Sequence, residues 1–371
     1  MAKKLAFGLM RLPLLVENDA TSIDVERVKK MADIFMEKGF TYFDTAAPYH
    51  GKHSEVAFRE AVAKRYPREA YTVTDKLSFG MLEKAEDMQP FFDAQLERLG
   101  VDYIDIYLLH ALSKTSYAKA QSFNAFEFAA QKKAEGKIKH VGFSFHDSAE
   151  VLEQILTEHP EVEYVQLQIN YLDWEDENVQ AHKCYDVAVK HGKKVLIMEP
   201  VKGGALAKVS PEVEALLKGY NKEASPASWA IRFCASLEHV VMVLSGMSDE
   251  NQVEDNTTCM SAFEPLNEEE SAILEKAAEI IRNDTAIACT ACAYCVDDCP
   301  KNIAIPEYFK LYNKLKRFQG ATAGWERTLY AQKAKERGKA SDCIECGLCE
   351  GHCPQHLEIR KLLKDVAEGL E

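Results

Sequence analysis

The chain has 371 residues, of which 47% are hydrophobic and 28% charged, and its formal net charge is −14. This length predicts two domains, and the absence of any apolar run of about eighteen residues argues against a membrane span. The acidic balance disfavours nucleic-acid binding, because phosphate backbones repel such a surface. The N-terminus shows no signal-peptide pattern, so we expect a cytoplasmic protein.

Short β-rich segments alternate with amphipathic helical segments up to residue 262. The predicted strands are 5–10, 40–45, 71–77, 104–110, 140–146, 164–169, 195–199 and 240–246. The helical segments between them are 24–38, 53–65, 84–98, 118–135, 148–158, 178–191, 226–236 and 249–261. Eight such pairs predict an α/β fold, a (β/α)8 TIM barrel, with an open doubly wound sheet as the competing architecture.

Glycines mark several of the predicted helix ends, as C-terminal caps do; they are Gly39, Gly100, Gly136 and Gly192. A further helix over 267–282 leads to the first group of cysteines. We therefore predict a boundary near Asn283, which separates a barrel over 1–283 from a second domain over 284–371.

Eight of the eleven cysteines form two blocks with one pattern, Cys-x2-Cys-x2-Cys-x3-Cys-Pro. The blocks are Cys289, Cys292, Cys295 and Cys299, then Cys343, Cys346, Cys349 and Cys353. This is the spacing of ferredoxins with two [4Fe–4S] clusters, in which the fourth cysteine of each block binds the other cluster. It predicts one cluster on Cys289, Cys292, Cys295 and Cys353, and another on Cys343, Cys346, Cys349 and Cys299.

Paired zinc sites and thiols without function are the alternatives for these blocks, but zinc rarely uses eight cysteines with two Cys-Pro steps. The segment over 300–342 has a helical pattern and resembles the α-helical ferredoxin domains of larger oxidoreductases. Its basic part, 310–339, is either a solvated helix pair or a docking site for an acidic redox carrier protein. The remaining thiols, Cys184, Cys234 and Cys259, are interpreted as buried.

Four polar side chains follow the ends of successive predicted strands, where barrel active sites lie. They are Asp44, Tyr49, Lys76 and His110. An ammonium beside the phenol is expected to lower the pKa of Tyr49, with Asp44 holding Lys76 in place. His110 would orient a carbonyl oxygen or share its proton. Each residue alone is typical of a turn or core position, but the four together predict proton delivery to a reduced carbonyl.

The first 262 residues resemble the aldo-keto reductase family in two segments. Residues 43–49 read Phe-Asp-Thr-Ala-Ala-Pro-Tyr, with Ser54-Glu55 after them, and residues 98–110 read Arg-Leu-Gly-Val-Asp-Tyr-Ile-Asp-Ile-Tyr-Leu-Leu-His. The resemblance places the family's catalytic tetrad on the same four side chains. The cysteine-rich extension is similar to that of the family's iron–sulfur branch.

The resemblance also implies a nicotinamide site, NADP(H) or NAD(H), with departures from the family pattern. Ser144 and Gln166 match two carboxamide-binding positions, but Phe145 replaces the family's asparagine, and Met198 stands where relatives often stack a tyrosine. The remaining positions implied for this cofactor are Gly203, Gly204, Ser245, Gly246, Gln252 and Asn256. Because Gln252 replaces a basic residue that many relatives use for a 2′-phosphate, NADPH is not preferred over NADH.

The sequence therefore predicts an oxidoreductase that reduces a small carbonyl, or oxidises the alcohol, with a nicotinamide cofactor and two clusters. Nicotinamide passes electrons in pairs whereas each cluster accepts one, so flavin, which does both, is a further candidate cofactor. The alternative is an electron-transfer or redox-sensing protein whose barrel is catalytically idle.

Overall fold

Eight parallel strands close into a barrel in chain order, which confirms the predicted fold class. The structure is a computed structural model and describes residues 3–16, 19–317 and 323–371. The strands are β1 Leu5–Gly8, β2 Tyr42–Asp44, β3 Thr72–Leu77, β4 Ile104–Leu112, β5 Ile138–Phe145, β6 Tyr164–Gln168, β7 Lys194–Met198 and β8 Val240–Gly246. Pairing of β8 with β1 completes the ring, so the open doubly wound sheet is excluded.

The helices follow the strands as the alternating pattern predicts. In the part of the chain up to residue 284 they are α1 Val25–Glu37, α2 Ser54–Phe58, α3 Met88–Leu99, α4 Lys114–Ser122, α5 Ala125–Ala134, α6 Ala149–Glu158, α7 Ala181–Lys190, α8 Pro211–Tyr220, α9 Pro226–Ser236, α10 Glu250–Ser261 and α11 Glu268–Asp284. The predicted helix over 118–135 is two helices, because Asn124 has a φ of +53° between them. Helix α8 was not predicted, although Ser210 caps it and Pro211 opens it.

Even-numbered residues on the strands point into the barrel. Its interior apolar cluster consists of Ala6, Tyr42, Ile106, Leu108, Leu196 and Leu244, against which Tyr164, Met198 and Met242 pack. Since successive side chains of a strand alternate between faces, the other even-numbered positions share this interior face. They include the predicted site residues Asp44, Lys76, Ser144 and Gln166, which the barrel interior brings together, and also Gln168.

The glycines predicted at helix ends have the expected backbone. Gly100 lies at φ +68° directly after α3, a left-handed conformation that side chains rarely adopt. The others, Gly39, Gly136 and Gly192, also have positive φ.

The chain forms two compact units. The first consists of Met1–Glu175, Gln180–Pro200 and Ala227–Asn267, and the second of Asp176–Val179, Val201–Pro226 and Glu268–Glu371. The boundary near Asn283 stays a prediction. The loop that follows β7 and helix α8 count with the second unit, where α8 packs on α11.

The second unit is helical around the cysteine blocks. Its remaining helices are α12 Ile305–Arg317, α13 Ala323–Lys333, α14 Leu348–Gly351 and α15 Ile359–Leu370. A core of Tyr308, Phe309, Leu363 and Val366 joins α12 to α15. The β structure among the described residues after 284 is limited to the isolated bridge between Ile303 and Gly338. Part of the basic segment 310–339, residues 318–322, lies outside the described residues. No helix in the described ranges is long and apolar enough to cross a membrane.

Candidate active site and cysteine sites

A buried ion pair lies at the carboxyl ends of β2 and β3. Lys76 is fully buried at the end of β3, and its Nζ donates to Asp44 Oδ1 and to the carbonyl of Thr45, both at 2.7 Å. The second carboxylate oxygen of Asp44 accepts a hydrogen bond from Gln166 Nε2 at 3.1 Å. A buried lysine needs a charged or strongly polar partner, so these contacts hold the ammonium at a defined point.

The phenol of Tyr49 lies next to that ammonium. Its hydroxyl oxygen is 3.5 Å from Lys76 Nζ, and the ammonium lies 5.1 Å from the ring centroid. Burial raises the pKa of Tyr49 well above its ordinary value, and the charges of Asp44, Asp75 and Glu199 raise it further. The prediction of a lowered pKa is therefore wrong for the protein without ligands: Tyr49 holds its proton firmly.

His110 is a neutral imidazole in this site. Burial depresses its pKa well below 6.5, and the charges of Lys76 and His146 lower it further. Its Nδ1 is 2.7 Å from the hydroxyl of Ser78, which follows β3. When Ser78 donates this hydrogen bond, the imidazole carries its own proton on Nε2. The ring of His110 meets that of Tyr49 edge to face at 6.2 Å, so both side chains offer a proton at one place.

A buried polar network behind β3 holds the backbone of Lys76. Gln95 Nε2 donates to Asp75 Oδ2 at 2.8 Å and to the carbonyl of Lys76 at 3.0 Å. Burial raises the pKa of Asp75, and the neighbouring Glu55 carboxylate raises it further. Arg98 pairs with Glu55. Glu55 and Arg98, which belong to the two segments that carry the family resemblance, thus join the network that supports the lysine, since Gln95 Nε2 also lies 3.3 Å from Glu55 Oε1.

Two of the implied carboxamide-binding residues face the barrel interior and are engaged within the protein. Ser144 Oγ accepts the backbone N–H of Ala111 at 2.7 Å, and Gln166 bonds to Asp44 as described. Phe145 is an odd-numbered residue of β5, so its side chain lies on the other face of the strand. It packs edge to face on Phe143, with ring centroids 6.2 Å apart. The residue at the position of the family's asparagine therefore supplies packing, not an amide.

Gln168 is a site candidate that the sequence analysis missed. It is the last residue of β6, it is 5% exposed, and it pairs in register with Met198 of β7. Neither polar atom of its side chain has a hydrogen-bond partner among the residues that the structure describes. Buried amides are almost always bonded. The alternation of β6 could have identified it, since it lies two residues beyond Gln166 on the same face.

The positions implied for the adenine end of a cofactor lie on β8 and α10. Asn256 Nδ2 donates to Ser245 Oγ at 3.0 Å, and Gln252 Oε1 accepts the N–H of Ser248 at 2.8 Å. Gly246 ends β8. Gly203 and Gly204 belong to the second unit. The role of these residues in cofactor binding remains a prediction.

Four cysteines of the predicted first cluster surround one cavity. Cys289, Cys292, Cys295 and Cys353 line it together with apolar side chains that include Phe309. Burial raises the pKa of the Cys295 thiol to about 12, and the other three cysteines raise it as well. The fold thus brings the fourth cysteine of the second block to the first three of the first block, as the spacing predicts.

Three of the four cysteines predicted for the second cluster, Cys299, Cys343 and Cys349, lie near one another. Burial raises the pKa of Cys349 to about 11, with further contributions from Glu350, Cys343 and Cys299. Cys346 is exposed.

The three scattered thiols are set apart from these groups. Cys184 and Cys234 are buried, as predicted, and Cys259 is half-buried. Burial raises the pKa of each thiol, to about 12 for Cys184 and about 11 for Cys259.

Comparison with protein families assigns both parts of the chain. Residues 4–279 match the model of the aldo/keto reductase family, and residues 288–358 match a 4Fe-4S dicluster domain. Similar curated proteins include an NADH-specific methylglyoxal reductase from Escherichia coli, 28% identical over 45% of this chain. An aldo-keto reductase from Mycolicibacterium paratuberculosis is 29% identical over 56% of this chain and 67% of its own length. The match spans only 54% of the E. coli reductase.

Solved structures share the fold. The aldo-keto reductase from Klebsiella pneumoniae in complex with NADPH superposes with a TM-score of 0.59 at 18% identity, over 74% of this chain and 90% of that one. A thermostable aldo-keto reductase with the inhibitor epalrestat gives the same TM-score at 20% identity, over 74% and 94%.

Proposed function

This chain belongs to the aldo/keto reductase family, and from that premise we propose that it reduces a small carbonyl compound with NADH or NADPH, or oxidises the corresponding alcohol. The observation that carries the proposal is the buried Lys76, bonded to Asp44 at 2.7 Å and placed 3.5 Å from the Tyr49 hydroxyl. Such an arrangement serves to transfer a proton at the phenol oxygen.

Each side chain of the tetrad has a distinct part in this reaction. Tyr49 gives its proton to the carbonyl oxygen as negative charge develops there, and Lys76 stabilises the phenolate that remains. Asp44 fixes the ammonium, and neutral His110 donates from Nε2 to the same oxygen. A phenol that is hard to ionise in the free protein becomes a usable acid only when a basic alkoxide faces it, which limits proton loss to the reaction itself.

The barrel has residues suited to a nicotinamide. When bound, the cofactor supplies a hydride to the carbonyl carbon. Gln168, whose amide has no hydrogen-bond partner among the described residues, is suited to a carboxamide, which presents both a donor and an acceptor. Met198 beside it offers an apolar surface for the ring, and the hydroxyl of Ser144 keeps one hydrogen to donate. Gln168 would thus replace the amide that is lost at Phe145.

We also propose that the second unit holds two [4Fe–4S] clusters, grouped as Cys289, Cys292, Cys295 and Cys353, and as Cys343, Cys346, Cys349 and Cys299. The cavity shared by the first four cysteines supports the first group. We further propose that electrons pass between these clusters and another redox centre, which is either a bound flavin or a redox carrier protein.

The proton-transfer role is tested by replacing Tyr49 with phenylalanine. Tyr49→Phe is expected to reduce carbonyl turnover about 100-fold or more while NAD(P)H binding persists, because a general acid contributes about that factor. Turnover is measured by loss of nicotinamide absorbance over a panel of small aldehydes and ketones in anaerobic protein. Tyr164→Phe, inside the same barrel, is the control. Unchanged turnover in the Tyr49 variant would favour an idle barrel and an electron-transfer function.

A further inference from the structure

A lysine from the loop after β7 is buried inside the second unit. Lys202 begins the 3-10 turn Lys202–Gly204, and although its side chain is a charged one it is only 4% exposed. Its Nζ donates to Gln355 Oε1 at 3.1 Å. Lysines are among the residues least often buried, so this position invites an explanation beyond packing.

The turn lies against the wall of the first cysteine cavity. Gln355, two residues after Cys353, and Thr290, next to Cys289, both line that cavity. Gly203 has a φ of +62°, and a Cβ atom there would lie 2.3 Å from the carbonyl oxygen of Thr290. Only glycine permits this approach, and the ammonium of the preceding lysine bonds to a side chain that lines the cavity.

We propose that Lys202 raises the reduction potential of the cluster bound by Cys289, Cys292, Cys295 and Cys353. Reduction adds one electron, taken from a one-electron donor, to a centre already surrounded by four thiolates, and no bond is made or broken. A nearby buried cation stabilises the added negative charge, and the effect is strong where water is excluded. The inference rests on the proposed cluster grouping and not on carbonyl reduction.

The second cysteine group has cations of a different kind. Arg360 and Lys364 are 44% and 63% exposed in their side chains, and each pairs with a glutamate, Glu350 and Glu345 respectively. Water and these carboxylates screen their charge. Lys202 bonds to Gln355, which lines the first cysteine cavity, so the potential of the second cluster should not depend on Lys202 and serves as an internal reference in the same molecule.

The experiment is a redox titration of the anaerobic full-length protein, followed by electron paramagnetic resonance. The variants are Lys202→Met, Lys202→Gln and Lys202→Arg, with Lys218→Met on α8 as a control at an exposed lysine paired with Glu214. The signal that disappears in Cys292→Ala identifies the first cluster. Lys202→Gln removes the charge but keeps an amide donor for Gln355, so it separates charge from hydrogen bonding.

We expect the methionine and glutamine variants to shift the reduction equilibrium of the first cluster at least tenfold toward the oxidised form, which is 59 mV for one electron. The arginine and Lys218 variants should keep the wild-type midpoint, and the second cluster should stay unchanged in all. A wild-type midpoint in Lys202→Gln, or an equal shift of both clusters, would overturn the inference. So would loss of the first cluster in every Lys202 variant including arginine, because the lysine would then be structural.

Wild-type protein without iron and sulfide would refute the cluster proposal itself. That outcome leaves the proposed carbonyl reduction standing, because the barrel assay with Tyr49→Phe is independent of the clusters.

Discussion

Replacing Gln168 with leucine should make the protein more stable and its cofactor binding weaker. Its amide is buried and has no partner among the described residues, and an unsatisfied buried polar group costs about 1–3 kcal/mol. Leucine has a similar volume without polar atoms. The free energy of unfolding should therefore rise by about 1–3 kcal/mol in the absence of ligand, while the variant loses a hydrogen-bonding group for the nicotinamide.

The matched control lies two residues away on the same strand. Gln166 donates to Asp44 at 3.1 Å, so Gln166→Leu removes a donor from a buried carboxylate and should destabilise the protein by about 1–3 kcal/mol. Both stabilities can be followed by the fluorescence of Trp174 and Trp229, which belong to the first unit, in a Trp325→Phe background that removes the exposed indole of the second unit.

Binding is measured separately by fluorescence titration with NADH and with NADPH. Loss of one hydrogen bond to the cofactor should raise the Kd of Gln168→Leu for the cofactor by up to about tenfold. The matching probe is an analogue with an acetyl group in place of the carboxamide, whose affinity should change less between wild type and variant, because the acetyl group keeps the acceptor but has no donor. A destabilised Gln168→Leu protein with unchanged affinity would refute the reasoning, because the residue would then be an ordinary core position.

Three further predictions concern the ion pair, the histidine and the cysteines. Lys76→Met should lower the free energy of unfolding by about 3–5 kcal/mol, since Asp44 is left as an unpaired buried charge, and adding Asp44→Asn should recover much of that loss. His110 is neutral when folded but takes a proton below pH 6.5 when unfolded, so stability should fall as pH falls below 6.5, by about 1.4 kcal/mol per pH unit more than in His110→Gln. Cys292→Ala should lose iron and brown colour while the barrel stays folded. Cys184→Ala should keep the iron and the brown colour.

Each of these outcomes has a direct check. Urea denaturation of the single and double variants measures the ion pair, and additive losses at Lys76 and Asp44 would contradict coupling between them. Parallel pH profiles of wild type and His110→Gln would show that the histidine is already protonated or solvated in the fold. Iron and sulfide analysis with circular dichroism tests Cys292→Ala, and insoluble protein would instead make the cluster part of the stability of the barrel.

Local sequence patterns determined the architecture and most of the site. Each strand of a parallel barrel is a short apolar run between helical segments, so β1 to β8 were recognisable and their predicted limits lie within a few residues of the observed ones. Chain order around the ring then places Asp44, Lys76 and His110 at neighbouring strand ends. Cysteine spacing, a local property too, predicted the exchange of Cys353 between the blocks.

Other features depend on groups distant in sequence, and only the folded chain brings these together. Burial decides the direction of the Tyr49 pKa, which the isolated pair with Lys76 suggested wrongly. The amide of Gln168 has no hydrogen-bond partner among the described residues because neighbouring strands bury it away from water. The position of Lys202 beside Gln355, 153 residues later in the chain, depends on how the loop after β7 packs in the second unit. Solvation and long-range packing are properties of the whole fold, and no local pattern of residues encodes them.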